Sequence, residues 1–249
     1  MTWIDQTFLI LMLVGFIAQL IDGALGMAYG ITATTALMAL GMPPVIASAN
    51  VHTAEVFTCA ASGASHWRAG NVDWRLVKHL APFGVVGAII GAALASAIDT
   101  SLARPIIAAY LLYMGGVVFV RAFRRRQPQP RTPPLRLLGL AGGICDAVGG
   151  GGWGPIVASR LVADGGDSAK TIGSTNLAEF FMTTAASVTF FFSLDAGIGK
   201  AALALVLGGV VAAPIAAYVT RRLPHKTLMA AVGILICTVS LVNLRAALS

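Results

Sequence analysis

Charge is what this 249-residue chain has least of: Asp, Glu, Lys and Arg together make 11% of it, where a soluble domain carries about 25%. So few polar side chains cannot cover the surface of a water-soluble fold of this length. Cysteine is scarce too. The three present (Cys59, Cys145, Cys237) lie far apart and form no CxxC pair, so neither a disulfide framework nor a zinc site is indicated. No HExxH, P-loop or GxGD sequence occurs, which leaves metalloprotease, ATP-driven and intramembrane aspartyl-protease chemistry without their residues. The opening MTWIDQTF has no Lys or Arg, and no A-x-A pattern follows its apolar run. The first apolar segment is therefore expected to stay in the mature protein.

What is abundant is apolar sequence. Hydrophobic residues make 57% of the chain and the mean hydropathy is +0.83. Apolar runs fall near 8–21, 31–49, 51–66, 76–98, 103–123, 135–145, 153–163, 172–193, 200–219 and 227–247. A membrane span needs about 20 residues, so several runs are full spans and the short ones need another explanation. The reading is an all-α polytopic membrane protein with the lipid bilayer as its surroundings. The 28 glycines sit inside apolar stretches, as membrane helices allow. The net charge of +7 does not indicate nucleic acid, because most Lys and Arg lie between apolar runs, where the positive-inside rule puts them. Trp67 and Trp74 flank a charged loop as interfacial aromatics do.

The chain divides almost in the middle. RAFRRRQPQPRTPPLR at 121–136 holds six arginines and four prolines, which excludes a continuous helix. Residues 1–123 form a first transmembrane repeat, 124–136 a cytoplasmic basic, proline-rich linker, and 137–249 a second repeat. Asp22, Gly26 and Gly30 recur as Asp146, Gly150 and Gly154 at an offset of 124, as does Ala54-Glu55-Val56-Phe57 in Ala178-Glu179-Phe180-Phe181. Ser48-Ala49-Asn50 mirrors Ser174-Thr175-Asn176 at an offset of 126. Duplication of this kind marks secondary transporters. With four spans per half, the repeats run parallel and Lys+Arg divide 11 to 6 between the two sides. If instead 8–40 and 137–163 each dip in and return as a re-entrant pair of half-helices, three spans remain per half. The second half is then inverted and the division becomes 14 to 3. The stronger asymmetry favours inversion.

Four of the ten acidic residues lie in apolar segments: Asp22, Glu55, Asp146 and Glu179, two pairs each spaced by 33. A charge at the bilayer centre costs at least about 2.5 kcal/mol, so each needs a reason. Coupling or gating is one; capping of N–H groups freed at a helix break is the other. For the two aspartates, beside glycine-rich breaks, the two weigh equally; for the two glutamates the functional role weighs more. Gly149-Gly150-Gly151-Gly152-Trp153-Gly154-Pro155 cannot be ordinary helix. A new helix starting near Gly154 would offer unpaired N–H groups and a positive dipole end to an anion. Scattered glycines more often serve helix packing, but four in a row favour a site. Gly26 and Gly30 are its first-half counterpart. Asn50 and Asn176 are neutral donors in apolar surroundings, suited to an oxyanion that must bind and leave. His52 has no second-half counterpart in this alignment and reads first as a hydrogen-bonded interior residue.

The motifs GGGGWGP and STNLAEFF, with DGALGMAYG and SANVHTAEVF in the first half, resemble the TauE/SafE family of sulfite and organosulfur exporters. The resemblance spans nearly the whole chain, although the first half departs from a pure glycine run. It implies a multi-pass transporter of the bacterial inner membrane. Its cargo would be sulfite, thiosulfate, sulfoacetate or a related small anion, moved mostly outward, with a site between the repeats. By motif match Gly149 to Gly152, Pro155, Asn176 and Glu179 carry over; by repeat position Asp22, Gly26, Asn50 and Glu55 do. The expectation is a non-enzymatic carrier with no cofactor and no metal, compatible with a homodimer. Its alternatives are a cation or carboxylate transporter using the buried carboxylates and, further off, an aspartyl-type intramembrane enzyme.

Overall fold

A computed structural model describes residues 4–123, 134–163, 168–194, 199–219 and 225–248, and every regular element in them is helical. The first half is α1 (Gln6–Leu25), α2 (Tyr29–Ala39), α3 (Pro44–Arg68), α4 (Trp74–Ala97) and α5 (Thr100–Phe123). The second is α6 (Leu135–Gly149), one π-helical turn (Gly154–Ala158) running into α7 (Ser159–Ala163), then α8 (Ser168–Leu194), α9 (Lys200–Val219) and α10 (His225–Leu248). Residues 124–133 of the basic linker, and Arg221 and Arg222 of the charge count, lie outside the described residues.

Among the described residues five helices are long and apolar enough to cross a membrane: α1, α4, α5, α8 and α10. With 20 residues α1 is of spanning length, whereas α6 with 15 falls short. The run at 31–49 is not one helix. α2 stops at Ala39, Gly41 adopts φ +88°, and α3 starts with Pro44 at its first turn. The apolar residues around Gly41 hide this break in a hydropathy reading. α3 has 25 residues but is not among the apolar five, because Ser48, Asn50, His52, Glu55 and Thr58 are buried along it. It packs against α8 at the centre, where protein rather than lipid surrounds those groups.

Packing follows the repeat. α1 lies along α9, and its counterpart α6 lies along α4, the counterpart of α9. α5 pairs with its own counterpart α10, and α3 with α8. Both crossed pairs are close because glycine lets backbones touch. A Cβ at Gly15 of α1 would meet the Leu205 carbonyl oxygen at 2.5 Å, and one at Gly139 of α6 the Leu80 carbonyl oxygen at 2.7 Å. Small residues serve helix association where lipid offers no hydrophobic drive. Trp67 and Trp74 are exposed at the α3–α4 turn, at the place expected for interfacial aromatics.

Candidate functional site

Both glycine-containing breaks are built the same way. α1 ends at Gly26, which adopts φ +66° and returns its N–H to the Asp22 carbonyl at 2.6 Å. α6 ends at Gly150, which adopts φ +69° and returns its N–H to the Asp146 carbonyl. Seven residues beyond each aspartate the next helix begins, and the same aspartate reaches it. Asp22 Oδ1 accepts from the Tyr29 N–H at 3.4 Å and Asp146 Oδ1 from the Trp153 N–H at 2.7 Å. One residue per half thus closes one helix with its carbonyl and caps the next with its carboxylate. Capping and function stood level for these aspartates in the sequence; the geometry gives both a cap.

The two breaks lie against each other. A Cβ on Gly30 would come 2.7 Å from Gly151 Cα and 2.9 Å from Glu55 Oε1, and one on Gly154 2.6 Å from Met27 Cα. At an offset of 124 these are the same contact made twice, Gly30 with Gly151 and Gly154 with Met27. Gly151 adopts φ +144°, a region essentially reserved for glycine. The other proposed ligand glycines have neighbours of a different kind. Gly149 and Gly152 accommodate the Tyr110 side chain, whose hydroxyl donates to the Gly151 carbonyl at 2.9 Å. Gly26 faces Ile172, and the Thr34 hydroxyl donates to the Gly150 carbonyl. Tyr110 and Thr34 therefore hold the second break in place, and nothing in an apolar helix marks them for that role.

Beside the contact stands a buried polar cluster. His52 Nε2 lies 2.9 Å from Asp146 Oδ2, with the two side chains 0% and 1% exposed. His52 Nδ1 is 2.8 Å from the Ser48 carbonyl, which can only accept, so Nδ1 carries a proton and Nε2 faces the carboxylate. The Ser48 hydroxyl donates to the Ala147 carbonyl at 2.8 Å and ties α3 to α6. One turn further along α3, Glu55 is 2% exposed. Its Oε2 has no hydrogen-bond partner among the described residues. Asp146, Glu179 and Asp22 are all within electrostatic reach of Glu55, so the four acidic residues converge. His52, read as an interior histidine, is that and also the hydrogen-bond partner of Asp146.

The two asparagines do not occupy equivalent places. Asn50 Oδ1 accepts from the Ala202 N–H at 3.0 Å in the first turn of α9, and its amide donates to the Ile46 carbonyl at 2.8 Å. Asn176 donates to the Ser62 hydroxyl at 2.8 Å. α3 and α8 start 124 residues apart, so the uninterrupted helical register pairs Asn50 with Ser174 and His52 with Asn176. Ser174 repeats the part played by Asn50: its hydroxyl accepts the Asp73 N–H at 2.7 Å where α4 begins. The 126-residue match is two positions out, about 200° around a helix. The hydrogen bonds of both amides thus go elsewhere than to the glycine contact. Asn50 also lines a cavity of about 430 Å³ between α3 and α8, with Thr53, Phe57, Ser187 and Phe190.

Comparison with known proteins identifies relatives of the chain. A family model described as sulfite exporter TauE/SafE matches residues 11–243. The chain is 41% identical over 226 residues to the probable membrane transporter protein YtnM of Bacillus subtilis (strain 168), an alignment covering 87% of this chain and 75% of that protein. No solved structure matches.

Proposed function

The chain belongs to the sulfite exporter TauE/SafE family of membrane transporters, and from that premise we propose that it is a secondary transporter exporting a small sulfur-containing anion across the bacterial inner membrane. Sulfite, thiosulfate, sulfoacetate and similar oxyanions form the substrate class. The observation that carries this reading is the double contact of the breaks, Gly30 on Gly151 and Gly154 on Met27. Two helix N-termini meet there, each offering N–H groups and a positive dipole end. The backbones touch, so the anion enters when the breaks separate, and the state described here is closed. Asp22 and Asp146 hold the Tyr29 and Trp153 N–H groups an anion would want. They therefore act as gates, with Glu55 and Glu179 coupling movement to a cation.

The same reading takes the repeats as inverted, with the first helix pair of each half re-entrant. The crossed packing of α1 with α9 and α6 with α4 and the 14 to 3 division of basic residues support it. Alternating access then follows from rocking one repeat against the other around a fixed site. The test is binding of sulfite, thiosulfate, sulfoacetate, sulfate and lactate to purified protein by calorimetry, at acid and at alkaline pH. Selective binding of one sulfur oxyanion that Gly151→Leu abolishes is expected. Binding unchanged in Gly151→Leu would move the site away from the breaks, and no response to any anion would overturn the substrate class.

A further inference from the structure

The cluster of His52, Glu55 and Asp146 is more than a cap with a counter-ion. One donor atom from each residue lies within 4.8 Å of the donors of the other two, and all three residues are buried. We propose that these residues form a binding site for one divalent first-row transition-metal ion of the zinc class, tying α3 to α6 beside the contact between the breaks.

Three independent features support the site. His52 is oriented as metal-binding histidines are, with one ring nitrogen donating to a backbone carbonyl, here Ser48, so that the other is directed at the ligand position. Asp146 is oriented in the same sense: Oδ1 is held by the Trp153 N–H, and Oδ2 is left for the cluster. Glu55, 2% exposed, carries an oxygen with no hydrogen-bond partner among the described residues. A buried carboxylate oxygen so placed is costly while it is charged, and a cation seated against it removes that cost.

Size and donor type choose the ion. Donors at about 2.0–2.2 Å from a common metal stand about 3.4 Å apart at the tetrahedral angle. The 2.9 Å between His52 and Asp146 and the 4.8 Å limit for the set bracket that value, so a change of side-chain rotamer closes the site. An imidazole with two carboxylates suits zinc and its neighbours. Calcium would want six to eight oxygens, and magnesium keeps a near-ideal octahedron of oxygens and water; three donors with one nitrogen serve neither. Asp22 and Glu179 lie within electrostatic reach of Glu55 but outside the three-residue donor set.

The experiment uses full-length, tag-free protein in detergent, stripped with chelator, exposed to Zn2+ and desalted before metal analysis. The expected content is about one zinc per chain, with affinity at least about 10-fold weaker in His52→Ala and in Glu55→Gln and nearly unchanged in Glu179→Gln. Should the two ligand variants fail to fold, Co2+ bound to the wild-type protein is the second readout. Visible bands of a four- or five-coordinate nitrogen and oxygen site, with no thiolate band from nearby Cys59, are expected. Negligible zinc, equal affinity in Glu55→Gln, or a thiolate band would each overturn the assignment. None of these readouts involves the transported anion, so failure here and failure of the export reading are separable.

Discussion

Gly151→Ala is the sharpest perturbation of the contact between the breaks. Two penalties add at that position. The φ of +144° is one an L-residue adopts at a cost of about 1–3 kcal/mol. A Cβ there would also press on the backbone of Gly30 and Ile31, 2.8 Å from Gly30 Cα. Backbone cannot swing aside as a side chain does, and such overpacking costs a further 1–3 kcal/mol or so. Gly30→Ala meets the reciprocal clash, 2.7 Å from Gly151 Cα, from a helical conformation, so only the second penalty applies. Gly116→Ala on α5 is the control: nothing among the described residues lies within 4 Å of its Cβ, and helix propensity favours Ala by about 1 kcal/mol. Thermal unfolding in detergent, followed by tryptophan fluorescence, should lower Tm on the order of 10 °C for Gly151→Ala and about half as much for Gly30→Ala. Gly116→Ala should equal or exceed the wild type. A Gly151→Ala protein within about 2 °C of wild type, or one more stable than Gly30→Ala, would refute the backbone account of the contact.

Three further outcomes follow from the geometry. Asp146→Ala removes a helix cap and the buried hydrogen-bond partner of His52, and should destabilise by about 2–4 kcal/mol; Asp22→Ala loses a cap alone, about 1 kcal/mol, and denaturation midpoints of the two variants compare them directly. Asn50→Ala strands the Ala202 N–H at the start of α9 and should cost about 1–3 kcal/mol, read as faster proteolysis near that turn. Asp5, which caps α1 and pairs with Lys200 at 2.7 Å, has its carboxyl held below the usual range, first by the hydrogen bond from Lys200. Its stabilising effect is therefore present above the ordinary carboxylate pKa and is lost as pH falls through the lowered one. Asp5→Asn keeps the cap, so at neutral pH it should shift Tm only slightly, and at strongly acid pH not at all, as paired melting curves would show.

Much of the fold was legible because the membrane imposes it. Only helices and closed barrels satisfy their backbone groups in lipid, and continuous apolar runs of about 20 residues fit helices rather than barrel strands; the repeated Asp and Gly positions marked both breaks. Assignments that depended on which helix meets which were not legible. His52 reaches Asp146 across 94 residues, and no periodicity within α3 announces α6 as its neighbour. The Asn50–Asn176 alignment looked sound because Ser-x-Asn recurs. An offset drifting from 124 to 126 and back, however, would require an interruption that neither α3 nor α8 contains. Among the glycines, composition could not separate those that bring the breaks together (Gly30, Gly151, Gly154) from those that make room for Tyr110 (Gly149, Gly152), since the difference lies in the neighbour.

The crossed packing of α1 with α9 and α6 with α4 also governs how the protein is made. α1 leaves the ribosome long before its principal partner, which begins at Lys200, a separation that takes roughly 10–40 s at common elongation rates. Through that interval the glycine face of α1 that will receive α9, with Gly15 on it, has only lipid or the insertion machinery against it. α6 has no such wait, because α4 is already in the membrane when it emerges. Assembly is therefore asymmetric in time although the product is symmetric in pairing, and a nascent chain stopped short of α9 exposes the surface that quality control would recognise.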